Sequence, residues 1–277
     1  MPIELTSPVI VVLSAAILVV LERNYPYEPK QSFLRSGFVN DLAFYAILQS
    51  YILGYIIFFF AKWLDRQSGL SQLHLVSDWP IGWQFFVFFV IHDFYIYWFH
   101  RLQHSSKYLW RIHEAHHSSL DVDWLSGARS HSLEILINQT VEFAPLILCG
   151  ASPAVILYKG VVDSVWGMYI HSNIDVHSGP LQYLINGPEM HRWHHAQEVT
   201  EGGINFSTKL ALWDWLFGTA HLPRPEKPKG YGLEGVKFPG NYVAQHIFAF
   251  RSFEPPVPRH SEPTTASVGI DETTITV

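Results

Sequence analysis

Eight of the chain's 16 histidines stand in two short windows, at spacings that suit metal binding. His100, His104, His113, His116 and His117 fall within eighteen residues of the stretch HDFYIYWFHRLQHSSKYLWRIHEAHH, and His191, His194 and His195 follow in HRWHH. A helix advances about 100° and about 1.5 Å per residue, so residues i and i+4 share a face. His100 and His104 can therefore close on one ion, and His113 and His117 form a second such pair. His116 points about 60° to 100° away from that pair, which suits a neighbouring ion better. His191, His194 and His195 repeat the same H-x-x-H-H geometry. That many imidazoles exceed the needs of one four-ligand ion, and the spacing predicts a dinuclear site.

A lone histidine on an apolar face is usually a hydrogen-bonded core residue. By that standard His74, His131, His221, His246 and His260 require no function. Histidine-rich tracts that bind metal adventitiously are low-complexity runs, whereas here the histidines alternate with Trp, Tyr and Leu.

Composition narrows the setting. Charged residues and aromatics are each 15% of the 277 residues, the net charge is −6, and mean hydropathy is positive. That balance is too apolar for an ordinary soluble domain and points to a membrane. No basic run suggests nucleic acid. The single cysteine, Cys149, excludes a disulfide framework and an internally ligated iron–sulfur cluster.

Five apolar stretches read as membrane helices: Val9–Leu21, Asp41–Trp63, Ile81–Phe99, Leu133–Leu148 and Ala154–Ile170. The first lacks the positive n-region and cleavage site of a secretory signal, so it reads as a retained helix. The last two are joined by CGASP, too short for anything but a tight hairpin, with Asn138, Glu142 and Asp163 facing protein. Running Ile81–Phe99 toward the cytoplasm places all the histidine candidates at one mouth of the bundle. Lys30, Arg35, Arg101, Lys107, Arg111 and Arg129 fall on that side, against Lys62 and Arg66 on the other, as the positive-inside rule requires. The expected architecture is an all-α integral membrane helical bundle with a cytosol-facing, histidine-rich dimetal site. It divides into an N-terminal membrane helix and loop (1–40), a catalytic membrane domain (41–222) and a C-terminal segment (223–277). Within the last, Tyr242–Phe250 reads as a surface helix with its aromatic side on the membrane, and the Ser/Thr-rich tail from Pro255 reads as disordered.

The segments HDFYIYWFHRLQH, LWRIHEAHHSS, HSNIDVHSGPLQYLINGPEMHRWHH and NFSTKLALWDWLFGT resemble the sterol desaturase/fatty acid hydroxylase superfamily over roughly Asp41 to Thr219. The resemblance implies a helical membrane enzyme, with two iron ions facing the cytosol, that uses O₂ to hydroxylate or desaturate a lipid such as a sterol or fatty acyl chain. By motif it carries the ligand pattern to His100, His104, His113, His116, His117, His191, His194 and His195. His171, in HSN, and His177, present in only some members, join them as metal candidates. Imidazole alone does not name the metal, and zinc would also suit these ligands.

Asp93 and Asn173 are the candidate catalytic residues. Asp93 lies about 20° from the faces of His100 and His104, where an acid orients a ligand or lines the substrate path. The bland alternative is an ion pair with His92 or Arg101. Glu114, Asn173, Asp175, Glu189 and Asp214 are further candidates to support the ligands, though each reads more simply as a cap, loop or surface group. The leading expectation is thus an oxidoreductase of the bacterial inner membrane or endoplasmic reticulum, hydroxylation favoured over desaturation. No segment supplies electrons, so an external cytochrome b5-like or ferredoxin/reductase donor is expected, docking on Arg101, Lys107, Arg111 and Arg129. The competing expectations are a zinc-dependent membrane lipid hydrolase, which needs only one ion and three ligands, and a metal transporter, whose ligands would line a path across the membrane.

Overall fold

The computed structural model describes residues 3–199, 203–223 and 225–253. Among these residues the structure is helical, with two isolated β-bridges and no strand. Helix α1 (Ile3–Asn24) is followed by α2 (Phe38–Asn40), which runs through a π-helical stretch (Asp41–Gln49) directly into α3 (Ser50–Ser68). Next come α4 (Ile81–Ser105) and α5 (Lys107–His117), then α6 (Ser132–Leu148) and α7 (Pro153–His171). Three short helices complete the order: α8 (Pro188–His194), α9 (Leu212–Leu216) and α10 (Tyr242–Phe248).

Local chemistry explains the boundaries. Ser106 breaks α4 from α5 with extended backbone, and its hydroxyl accepts from Leu109 N–H as an N-cap. The α6–α7 hairpin turns on Gly150, whose φ of 72° is open to glycine at little cost. There Ala151 N–H bonds Leu146 C=O at 2.9 Å and Gly150 N–H bonds Ile147 C=O at 3.1 Å, the paired closure of a Schellman turn. Pro153 then opens α7 at a position where its missing N–H costs nothing.

Polarity is distributed the wrong way round for a water-soluble protein. Val12, Leu13 and Ile17 on α1 and Tyr51, Phe59 and Trp63 on α3 are exposed, whereas Asp41, Gln49, Gln84, Asp93 and Lys159 are buried. An apolar exterior around a polar interior is stable only where the surroundings are themselves apolar. Two helices, Thr6–Asn24 and the continuous Phe38–Ser68, are long and apolar enough to cross a membrane. The α6 helix, at 17 residues, is shorter, and α4 and α7 are interrupted by His92 and Asp93 and by Lys159 and Asp163. Inside, α3 packs on α6, α1 on α7, and α4 on α5, α6 and α7. Small side chains set the closest approach, with Ala61 of α3 against Ala144 and Ile147 of α6.

The chain from Tyr242 to Phe253 packs back on this bundle. Tyr45 Oη donates to Gln245 Oε1 at 2.7 Å, and Arg251 pairs with Glu114 on α5. Val243, Ile247 and Phe250 form its exposed side. His131 and His246 stack on each other, and His131 also caps α6, which gives both a structural role. His260 and the tail expected to be disordered lie outside the described residues, and Tyr231 pairs with Ala196 in an antiparallel bridge.

A buried chain of charges, Asp123–Arg35–Asp41–Arg129, ties the loop after α1 and the start of α2–α3 to the segment after α5. Arg35 Nε reaches Asp123 at 2.8 Å and its Nη1 reaches Asp41 at 2.8 Å, while Arg129 holds Asp41 through two 2.8 Å bonds. Removing one partner of a buried pair leaves an uncompensated charge and costs about 3–5 kcal/mol. Arg35→Met, which strips Asp123 of its cation, is therefore expected to lower stability by about that amount. Denaturant unfolding of the detergent-solubilised protein measures it, and a change within experimental error would show the network to be dispensable.

Candidate metal centre

The two H-x-x-H-H runs lie on α5 and α8, and the fold brings them face to face beside the end of α4. Two groups result, within each of which the ligand atoms lie within 4.8 Å of one another: His100, His104, His113, His117 and His194 in one, His116, His171, His191 and His195 in the other. Each triplet divides the same way. His113 and His117 stay with the first group while His116 crosses to the second; His191 and His195 stay with the second while His194 crosses to the first.

The second nitrogens show how the rings are aimed. His100 Nδ1 lies 2.7 Å from Phe206 C=O, His194 Nδ1 2.7 Å from Ile204 C=O, and His171 Nδ1 2.7 Å from Gly167 C=O. His116 Nδ1 is 3.2 Å from Arg129 C=O, and His113 Nδ1 is 2.8 Å from Glu134 Oε1. A carbonyl only accepts, so Nδ1 of His100, His194, His171 and His116 carries the proton and each of their Nε2 atoms presents a lone pair; His113 does the same against an ionised Glu134. Yet Nε2 of His100 faces Nε2 of His113 at 3.0 Å, and Nε2 of His171 faces Nε2 of His116 at 3.2 Å. Two facing lone pairs repel unless a cation binds both. The donor set therefore fits a metal in each group, and all-imidazole ligation suits iron, zinc, copper or nickel.

Electrostatics agrees. Burial, reinforced by neighbouring imidazoles, pushes His113, His116, His117, His191, His194 and His195 well below the usual histidine range. Neutral imidazole is the form that ligates.

The supporting residues were mostly invisible in the sequence. Glu134, at the start of an apolar helix, orients His113 and accepts from Gln103 Nε2 at 2.9 Å. Asp214, one of the sequence candidates, accepts from Phe206 N–H at 2.8 Å and Ser207 N–H at 3.0 Å, fixing the carbonyl that holds His100. Arg192 donates to Ser172 and Ile174 C=O and stacks 3.6 Å over the Tyr27 ring, bracing the segment after His171. An acid at the head of an apolar run was the one available clue to Glu134.

Four expectations are corrected by position. His177 is not brought to either group; its ring is exposed and lies near Asp175 and Glu189, with SGPLQY carrying the chain away before α8. Asn173 sits outside the cluster, accepting from Glu28 N–H at 2.9 Å and donating to Glu28 C=O, a loop anchor. Asp93 is buried but turned from the histidines: it accepts from Thr208 Oγ1, Lys209 N–H, Leu210 N–H and Trp213 Nε1 at 2.9–3.2 Å. Its task is to hold the 208–213 loop on α4. Arg129 is not a surface charge, because Asp41 takes its guanidinium into the interior.

A cavity of 210 Å³ opens on both groups, touching His100 and His113 of one and His116, His171 and His191 of the other. It continues between α4, α6 and α7 past Ile96, Ile135, Trp166 and Ile170 to the side chains of Glu142 and Asp163.

Comparison with known proteins accords with this geometry. Residues 85–219 match the fatty acid hydroxylase family. An ornithine lipid hydroxylase of Rhizobium tropici is 32% identical over 244 residues, covering 86% of this chain and 73% of that protein. Human alkylglycerol monooxygenase is 31% identical over 141 residues, 51% of this chain and 31% of that protein. A very-long-chain aldehyde decarbonylase of Oryza sativa subsp. japonica is 30% identical over 138 residues, 49% of this chain and 51% of that protein. The chain thus spans about a third of the monooxygenase and half of the decarbonylase. No solved structure matches. The chain belongs to the fatty acid hydroxylase family.

Removing an outer partner of a ligand histidine typically weakens metal binding or activity about 10–100-fold. Glu134→Leu is expected to weaken metal retention in a chelator titration by about that factor, with Glu134→Gln, which still accepts a hydrogen bond, recovering part of it. In the same titration His194→Ala should lose bound metal and His177→Ala should match the parent protein. Equal losses at His177 and His194 would contradict the grouping described above.

Proposed function

We propose that this protein is a membrane-bound di-iron oxygenase that hydroxylates a membrane lipid with O₂ and electrons from an external donor. The observation that carries this reading is the pair of all-histidine groups at the end of a cavity that runs into an apolar-walled bundle. Family membership supports lipid oxidation, and relatives that hydroxylate ornithine lipid or oxidise alkylglycerols favour a polar membrane lipid over a free hydrocarbon. One ion would bind His100, His104, His113, His117 and His194, the other His116, His171, His191 and His195. Iron bound there would supply the redox chemistry that lets O₂ attack an unactivated C–H bond. Overall, one oxygen atom enters the C–H bond and the other leaves as water, using two electrons and two protons.

The chain's own residues do the remaining work. Glu134 and the carbonyls of Gly167, Ile204 and Phe206 hold the imidazoles aimed, while burial keeps them neutral. Ile96, Ile135, Trp166 and Ile170 form the walls past which a methylene chain lies near the histidines. A single-zinc hydrolase would leave most of nine converging imidazoles without a task. A transporter fits less well, because both groups lie together at one end of the helices.

The same reading makes α1, α2–α3, α4, α6 and α7 the spanning helices, with the metal end in the cytoplasm. Arg35 and Arg129 serve in buried pairs, so the orientation rests on Lys30, Arg101, Lys107 and Arg111 against Lys62 and Arg66. Lys107 is exposed, with half-buried Arg101 and Arg111 beside it, and this face suits an acidic electron carrier.

Purified iron-loaded protein with lipid and O₂ is expected to remain inactive until a reductase system is added; multiple turnovers without reductant would overturn the oxygenase reading. Topology has its own test. In a background with Cys149 replaced, Leu120→Cys should react with an impermeant thiol reagent only from the cytoplasmic side and Leu73→Cys only from the other. Labelling of both from one side would break the proposed helix count.

A further inference from the structure

The metal cavity has an interior end that a hydrocarbon cannot extend. There the Lys159 ammonium lies 3.0 Å from His92 Nδ1, 2.5 Å from Glu142 Oε1 and 2.7 Å from Asp163 Oδ2, and Lys209 Nζ holds the other Asp163 oxygen at 2.9 Å. The lysine occupies the centre of the His92–Glu142–Asp163 group, so that group is closed by an ammonium and offers no vacant metal position. Pressing methylenes against these charges would cost desolvation without return. A lipid chain leading away from the histidines must therefore turn aside before it reaches them.

One side chain marks where it can turn. Gln139 borders the metal cavity and also a second, apolar cavity of 390 Å³ between α1, α3, α6 and α7. Pro8, Val11, Ile57, Phe143, Leu157 and Gly160 line this groove. Along α6 its wall is Gln139, Phe143 and Ile147, every fourth residue, a stripe that runs about 12 Å away from the metal end at 1.5 Å per residue. A Cβ at Gly160 would make only an ordinary 3.9 Å contact with the Phe143 ring, so alanine fits there, whereas a large side chain would fill the groove. A neighbouring apolar groove between α1, α4 and α7 shares no residue with the metal cavity, so it offers no such path.

Resting on the lipid-oxidising reading above, we propose that the α1/α3/α6/α7 groove holds the acyl tail of the lipid substrate and that Gln139 is the gate at which the chain bends into the metal cavity. The occupant is a lipid of the leaflet on the metal side. Its polar head stays at the mouth of the bundle, its tail fills the groove, and a carbon on the headgroup side of the chain lies beside the histidines. The groove's wholly apolar far wall at Ile147 and Ile156 suits a methyl terminus and would leave a headgroup unsolvated. Gln139 and Gly160 then set chain length and the position oxidised.

Photo-crosslinking reads this without requiring turnover, so it stands or falls apart from the oxygen chemistry. Protein is reconstituted in vesicles of a diacyl phospholipid bearing a diazirine either next to the acyl carboxyl or near the methyl end. The first probe should label Ile135 and Asn138 in the metal cavity; the second should label Phe143 and Leu157 in the groove. Gly160→Phe should abolish both sets while labelling of the outward-facing Val12 and Ile17 persists and metal content is unchanged, and Gly160→Ala should behave as the parent. Gln139→Phe, which closes the junction at the groove's inner end and leaves the rest of the groove from Phe143 to Ile147 open, should remove only the Ile135 and Asn138 labels. A reversed pattern of the two probes would overturn the proposal, as would cavity labelling that survives both phenylalanine substitutions or is missing from the parent protein.

Discussion

Nine imidazoles packed within reach of one another, eight of them buried, are an arrangement that needs support. Five of the rings give one nitrogen to an acceptor, which fixes where the other nitrogen's lone pair points, and facing lone pairs repel across about 3 Å until a cation joins them. The acceptors are therefore as necessary as the histidines. Four of them are backbone carbonyls at helix ends or in loops, at Arg129, Gly167, Ile204 and Phe206, and their positions depend on groups further out. Asp214 fixes the Phe206 peptide, Asp93 clamps the next turn of the loop to α4, and Arg192 braces the chain after His171. Glu134 aims His113 directly, whereas Asp93 and Asp214 act as positioning residues for the loop that aims other rings.

The same logic explains the charge-rich interior of an apolar-surfaced bundle. Asp123, Arg35, Asp41 and Arg129 bind the loop after α1 to the segment whose Arg129 carbonyl receives His116. Lys159, Glu142, Asp163 and Lys209 join α6, α7 and the 208–213 loop further in. In an apolar surrounding, packing of outward side chains gives little preference for one helix arrangement over another, because lipid is as good a partner as protein. Ion pairs with no alternative partner supply a specificity that apolar contacts alone do not.

How far the sequence revealed this follows from what periodicity encodes. Helix spacing carries the direction of a side chain, so the i, i+3 and i+4 histidines point to two groups, with His116 in the second one. The apolar runs announced the long helices, and CGASP announced the α6–α7 hairpin. Contacts between distant segments leave no such trace. His171 entered by resemblance alone. His177, six residues on, shares its neighbourhood in sequence but not in space, because the chain leaves the cluster as soon as α7 ends. Asp93 was placed correctly on the face of α4 near His100, yet its carboxylate is saturated by a loop more than a hundred residues later, which no local reading reveals. Glu134 and Arg129 take their roles only from the fold, which gives each a distant partner in His113 and Asp41.

The exchange within the two triplets has a structural consequence. In H-x-x-H-H the middle histidine must diverge by about 60° from the first and about 100° from the third, so one helix cannot close a single ion with all three. Two such helices facing each other resolve the divergence reciprocally: α5 lends His116 to the group built on α8, and α8 lends His194 to the group built on α5. Neither group is complete without the other helix. Metal binding at either position therefore fixes the docking of α5 against α8, and a one-residue insertion inside either triplet would disorder both groups at once. The two histidine groups are thereby held adjacent by helix geometry itself, with α4 contributing His100 and His104 to one and α7 contributing His171 to the other. That asymmetry leaves the α4, α6 and α7 side open to the cavity, which is the side from which a lipid chain between those helices meets both groups.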